Sequence, residues 1–141
     1  MSNFFKDATS FTMSILPNIK SEIFQEIQIN GEGVPEVHPV AVDGQKSKCK
    51  LVDVRRPDEF IGELGHISGA TLSTLESNLE SFLNSTAAKS KENDTYVFVC
   101  RSGGRSSKAT QMAQSKGFKK CFNMAGGMIA WNALGLQTET K

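Results

Sequence analysis

Apolar and polar positions along the chain follow two periods, and the switches between them mark the elements. Tyr96-Val97-Phe98-Val99 is an unbroken aromatic and β-branched run, the composition of a buried strand. Beyond it Ala109, Met112 and Ala113 fall at i, i+3 and i+4, the spacing of one helix face. That pattern stops at Gly117, a residue suited to closing a helix, so it predicts a helix from about Ser106 to Lys116. Cys49 to Val54 reads as a second strand, closed by Arg56-Pro57 because proline disfavours helical backbone at the residue before it. Asp58-Glu59-Phe60 then opens a short helical turn, and Gly69-Ala70-Thr71-Leu72 predicts a short strand. Ser73 with Glu76 matches a capping box, and Leu75, Leu79, Phe82 and Leu83 supply the apolar stripe of a helix behind it. Lys89 to Asp94 reads as a charged loop and Lys120 to Met124 as a further strand, with Cys121 a packing residue. Gly126-Gly127 makes a tight turn into a last helix, Met128 to Leu134, anchored in the core by Trp131.

The N-terminal third is less regular. Met1 to Pro17 is mixed, and fraying is expected there. Ile19, Ile23, Phe24 and Ile27 share a helical face that ends at Asn30-Gly31-Glu32-Gly33. Residues 1–33 are thus expected to form a leader with one helix, packed on its own domain rather than used for dimerisation. Val37 to Val42 is apolar and β-branched before an Asp43-Gly44 turn signal, and Gln45 to Lys50 reads as a basic, solvated linker. Strands then alternate with helical stretches through residues 34–141, which argues for an α/β domain with a mostly parallel sheet.

Composition narrows the function classes. With 141 residues and 38% apolar content the chain is long enough for one domain with a single core. A formal net charge of +1 gives no general attraction to nucleic acid or acidic membranes, so any preference for anions must be local. Cys49, Cys100 and Cys121 are odd in number and widely spaced, which suits a reducing compartment better than a disulfide framework. His38 and His66 are isolated and no C-x-x-C pair occurs, so no metal site is expected. The sequence shows no secretory signal pattern and no run near the ~20 apolar residues that span a bilayer, and the expected location is the cytoplasm.

The sharpest chemistry lies at Cys100-Arg101-Ser102-Gly103-Gly104-Arg105-Ser106. A cysteine between a strand end and a helix start faces backbone N–H groups and the positive end of the helix dipole, an environment that favours the nucleophilic thiolate. Gly103 and Gly104 permit positive φ, so successive N–H groups can converge on an anion. Arg105 offers a fork of donors for sulfonate or phosphate oxygens and Arg101 an added positive field, while Ser106 can cap the helix. The competing interpretation is a buried structural cysteine beside a solvated basic loop. Asp53 and Arg55 stand near the carboxyl end of their strand, where open α/β sheets carry the binding crevice, and are expected to support the loop. Glu59 and His66 are expected to hold a turn together.

The 100–106 segment resembles the C-x-x-G-x-R-S active loop of rhodanese-like sulfurtransferases. Leu51-Val52-Asp53-Val54-Arg55-Arg56-Pro57-Asp58-Glu59-Phe60 resembles the family's L-x-D-V-R-x-x-x-E-[FY] segment, and Gly65-His66-Ile67-Ser68-Gly69-Ala70 its G-H-I-x-G-A segment. Gly117-Phe118 and Asn123-Met124-Ala125-Gly126-Gly127-Met128-Ile129-Ala130-Trp131 resemble its closing portion. The resemblance implies a five-stranded sheet with helices on both faces, although His38-Pro39-Val40-Ala41-Val42 leaves room for only a turn of the helix that usually precedes the D-V-R strand. It also implies transfer of a sulfane sulfur from thiosulfate or a similar small anionic donor, through a Cys100 persulfide, to cyanide, a thiol or a protein acceptor. Such chemistry needs no metal or organic cofactor and fits a monomer or weak dimer. Two alternatives are a non-catalytic rhodanese-like binding module, which commonly lacks the cysteine, and a cysteine phosphatase or arsenate reductase. The latter use C-x5-R, whereas Cys100 to Arg105 is C-x4-R.

Overall fold

The computed structural model describes residues 23–90 and 92–141, and the side chains of all of these but 86–90. Six strands make one sheet: β1 Gln28–Ile29, β2 Pro35–Val37, β3 Lys50–Asp53, β4 Thr71–Leu72, β5 Tyr96–Val99 and β6 Cys121–Met124. Their spatial order is β1-β2-β6-β5-β3-β4. Every pairing is parallel except β1 with β2. Among the described residues there are five helices, four lying between successive strands from β2 to β6 and the last beyond β6: α1 Pro39–Gln45, α2 Pro57–Phe60, α3 Leu79–Ser90, α4 Gly104–Ser115 and α5 Gly127–Ala133.

The period of two along β5 divides the core. Tyr96 and Phe98, with Cys100 beyond the strand, pack with Leu79 and Leu83 of α3 and Ala109 and Ala113 of α4. Val97 and Val99 join Val42 of α1 and Met128 and Trp131 of α5 on the opposite face. Helices therefore cover both faces, and the fully buried Tyr96-Val97-Phe98-Val99 run reads as apolar because neither face meets water. The register sets Asp53 beside Val99, so β3 and β5 end together and Cys100 emerges at the carboxyl edge.

Four expectations are corrected. Residues 23–27 form no helix, and Gln28–Ile29 instead adds an antiparallel edge strand. Phe24 and Ile27 are buried in the core, Phe24 edge-on to Phe122 at 5.4 Å, so contacts with the sheet override the local period. The rest of the expected leader helix, up to residue 22, lies outside the described residues. Val40 to Gln45, Asp43-Gly44 included, is helical: Pro39 sits at the first position, where its missing N–H costs nothing, and His38 Nδ1 accepts from the Val40 N–H at 3.1 Å. The linker behind it forms a short 3-10 turn at Lys46–Lys48. The capping box does not form, because the helix starts at Leu79, and the Thr74 carbonyl takes the N–H groups of Ser77, Asn78 and Leu79. The Ser73 hydroxyl is buried without a partner among the described residues. Finally, α3 runs on through Lys89 to Ser90, into the stretch expected as loop.

Candidate active site

Strand β5 ends at Val99, Cys100 follows, and α4 opens at Gly104. Gly103 has φ +111°, backbone that a side chain would strain, and its N–H donates to Cys100 Sγ at 3.0 Å. Ser106, in the first turn of α4, places its hydroxyl 3.2 Å from Sγ and also against Asn123 Oδ1. It is not the cap; Gly103 occupies that position and its carbonyl accepts from the Ser107 N–H at 3.0 Å. Cys100 is 1% exposed, whereas Arg101, Ser102 and Gly104 form the outer surface of the loop.

The back of the loop is fixed by α5. Met128 N–H donates to the Cys100 carbonyl at 2.8 Å and Ile129 N–H to the Arg101 carbonyl at 3.0 Å. This close approach needs Gly127, whose φ is +59° and where a Cβ would lie 2.5 Å from both carbonyl oxygens. The glycine pair read from sequence as a turn is therefore also the seat of the loop.

Arg105 is engaged elsewhere. Its Nη1 and Nη2 donate to Glu59 Oε1 and Oε2 at 2.7 and 2.9 Å, a bidentate clasp between α4 and α2. The Arg105 hydrogen bond holds the Glu59 carboxyl down at about 2, and Glu59 Oε1 also accepts from the Arg56 N–H at 3.1 Å. Asp53 and Arg55 form a buried pair, with Arg55 Nε and Nη2 on the two carboxylate oxygens at 2.9 and 2.7 Å. Arg55 Nη2 also donates to the Gly65 carbonyl at 2.7 Å, while Asp53 Oδ1 accepts from the Arg55 N–H at 3.1 Å. Both residues thus brace the turn beside the loop, and among the described residues neither hydrogen-bonds to it. Arg55 and the exposed Arg101 share a cavity of about 190 Å3 with Glu59 and Leu64. A larger cavity, about 800 Å3, lies at the opposite, amino ends of β3 and β5, around Lys50 and Tyr96. His66 holds its turn as expected, with Nδ1 2.8 Å from the Phe60 carbonyl and its ring stacked on Phe60 at 3.6 Å.

The other cysteines lie at the amino ends of their strands, Cys49 just before β3 and Cys121 at the start of β6. Burial pushes the Cys49 thiol up to about 11 and the Cys121 thiol up to about 12, so both stay protonated at neutral pH. Sequence reasoning missed Asn123, Glu36, Asn30 and Glu32. Asn123 Nδ2 donates to Glu36 Oε2 at 2.7 Å, and Ser107 Oγ donates to Glu32 Oε1 at 2.7 Å. A polar residue inside the otherwise apolar Cys121-Phe122-Asn123-Met124 strand was the available signal, because a buried amide must have partners.

Residues 39–134 match the rhodanese-like domain family. The chain belongs to the rhodanese-like family. It is 34% identical over 98 residues to the chloroplastic thiosulfate sulfurtransferase 16 of Arabidopsis thaliana, covering 64% of this chain and 79% of that one. It is 38% identical over 94 residues to an uncharacterized protein of Synechocystis, covering 67% of this chain and 49% of that one. It is 32% identical over 106 residues to a putative sulfur carrier protein of Bacillus subtilis, with 72% and 53% covered. The chain thus spans about half the length of these last two relatives. Among solved structures, a rhodanese-like domain protein of Staphylococcus aureus superimposes with a TM-score of 0.60 at 28% identity, covering 74% of this chain and 97% of that one. This rhodanese-like domain carries six strands where five were expected, the addition being β1 at the edge. Among the described residues no helix is long and apolar enough to cross a membrane.

Proposed function

We propose that this rhodanese-like protein is a sulfurtransferase in which Cys100 carries the sulfane sulfur. The observation that supports this most is the seat of Sγ: the carboxyl edge of the central strand, with the Gly103 N–H 3.0 Å away and the first turn of α4 directly behind. Those groups suit a sulfur that carries negative charge. In the first half-reaction the Cys100 thiolate attacks the outer sulfur of thiosulfate. The bond from Sγ to that sulfur forms as its bond to the sulfonate sulfur breaks, and the electron pair leaves on sulfite. In the second, a thiophile attacks the outer sulfur of the persulfide and Sγ departs as thiolate. Two easier displacements replace one, which is covalent catalysis.

The surrounding residues divide between attraction and support. Arg101, exposed at the mouth, draws the anionic donor, and the amides of Ser102, Gly103 and Gly104 are the groups available to the outer sulfur. Arg105 braces the loop through Glu59, so its fork is already filled and is not free to embrace a phosphoryl group. That occupation weighs against the phosphatase reading, as does the four-residue spacing from Cys100 to Arg105. Asp53 and Arg55 support the adjoining strand end. Cyanide serves as acceptor in the assay, and a thiol or protein acceptor in the cell. Thiosulfate:cyanide transfer by the wild type, lost in Cys100→Ser, is the expected result; equal turnover by both proteins would refute the reading.

A further inference from the structure

Cys100 is connected to a residue that precedes the family-matched region. Glu36 on β2 lies opposite Asn123 on β6 in the parallel register, so the two side chains stand together on one face of the sheet. Glu36 Oε2 accepts from Asn123 Nδ2 at 2.7 Å and from Asn30 Nδ2 at 2.9 Å. An ionised carboxylate only accepts, so it admits the Asn123 amide one way round: Nδ2 toward Glu36 and Oδ1 toward Ser106. An amide oxygen also only accepts, so the contact with Ser106 requires the hydroxyl to donate.

Ser106 has a single proton and three acceptors around it: Asn123 Oδ1, which is closest, Sγ at 3.2 Å and the Gly103 carbonyl at 3.3 Å. Ser106 and Asn123 are both fully buried, so no solvent is on hand to relax this choice. With the proton committed to Asn123, Ser106 turns a lone pair toward Sγ. A lone pair accepts from S–H and opposes a negative sulfur. We propose that Glu36 is a positioning residue that, through Asn123, directs the Ser106 proton away from Cys100 and so restrains the resting nucleophile. Asn30 holds Glu36 in place and is itself anchored, its Nδ2 lying 3.0 Å from Ser107 Oγ in the first turn of α4. The proposal rests on Cys100 being the reactive sulfur of the function proposed above.

The test reads the sulfur itself, with no sulfur donor present, so a failure of sulfur transfer does not enter it. The ultraviolet absorbance of the thiolate and the rate of Cys100 alkylation by iodoacetamide, located by peptide mass, are measured at one neutral pH on the full chain. Glu36→Met removes the orienting acceptor and frees Asn123 to turn. The Ser106 proton then becomes available to Sγ, and alkylation should be about fivefold faster, with more thiolate absorbance. That ratio corresponds to one hydrogen bond of about 1 kcal/mol. Glu36→Gln keeps an oxygen that can accept from both amides, and should stay near wild type. Ser106→Ala removes the lone pair and should move the rate in the same direction as Glu36→Met, which covers the case of a Glu36→Met protein that does not fold. A Glu36→Met rate at or below wild type, or a Ser106→Ala rate that falls, overturns the proposal. So does Glu36→Gln as fast as Glu36→Met, because the charge alone would then account for the effect.

Discussion

Gly127→Ala probes how the loop is held. The substitution places a methyl group where the backbone has φ +59°, a left-handed conformation that costs a residue with a Cβ about 1–2 kcal/mol. The new carbon would also lie 2.5 Å from the carbonyl oxygens of Cys100 and Arg101 and 2.6 Å from the Arg101 carbonyl carbon. These are backbone atoms that cannot swing aside, and nonbonded heavy atoms at ease sit roughly 3.5–4 Å apart. Overpacking of this kind costs about 1–3 kcal/mol, for a sum of about 2–5 kcal/mol. At about 4 °C per kcal/mol in a domain of this size, Tm should fall by about 8–20 °C. Gly69→Ala is the control: φ there is +88°, but nothing lies within 4 Å of the added carbon. It should lose only the backbone share, about 1–2 kcal/mol. The clash also pushes on the carbonyls that α5 grips through Met128 and Ile129, so Gly127→Ala should displace Cys100 and lower sulfur-transfer kcat by up to about 100-fold. Gly69→Ala should retain it. Thermal unfolding and thiosulfate:cyanide kinetics on both variants decide the matter. Equal Tm loss and equal turnover in the two would refute the claim that the approach of α5 holds the loop.

Glu59→Gln should cost about 1 kcal/mol at neutral pH once solvent screening of the half-open pair is allowed for. Because the folded Glu59 carboxyl is held at about 2, below its ordinary 4.5, the gap from wild type in urea unfolding should be full above pH 4.5 and vanish as pH falls to about 2. A gap that persists undiminished at the acid end would contradict the clasp. Cys49→Ala and Cys121→Ala should keep sulfur transfer, the buried Cys121 change costing about 1 kcal/mol in unfolding; loss of transfer in either folded protein would contradict the assignment to Cys100. The wild type should leave p-nitrophenyl phosphate essentially unhydrolysed, since the Arg105 fork is held by Glu59; efficient hydrolysis without sulfur transfer would reverse the choice of chemistry.

The parts legible in sequence are those fixed by nearby residues. Tyr96 to Val99 announced a buried strand because both of its faces meet the core, and Gly117 marked the end of α4 through its positive φ, whereas the start at Gly104, capped by Gly103, lies two residues before the one expected. Trp131 and Cys121 were read as core residues and are buried. What escaped was set by distant contacts. The spacing of Ile23, Phe24 and Ile27 fits a helix, but burial against the sheet makes the same residues equally useful in extended chain. The β-branched residues after Pro39 suited a strand, while the His38 cap and the burial of Val42 favour a helix. Arg105 looked like a substrate fork because its partner, Glu59, lies 46 residues away in the chain. The Glu36–Asn123–Ser106 series needs the β2–β6 register, which no local pattern encodes.

The central claim is that sulfur rests on one named atom, and peptide mass after thiosulfate treatment tests it directly. The full chain is exposed to thiosulfate, freed of excess reagent, digested without reductant and compared with an aliquot then treated with cyanide. The account predicts that the peptide containing Cys100 gains the mass of one sulfur atom and loses it again to cyanide. Peptides carrying Cys49 and Cys121 should remain unchanged, and Cys100→Ser should gain nothing. Sulfur found on Cys49 or Cys121, or none on Cys100 in a protein that turns thiosulfate over, would contradict it.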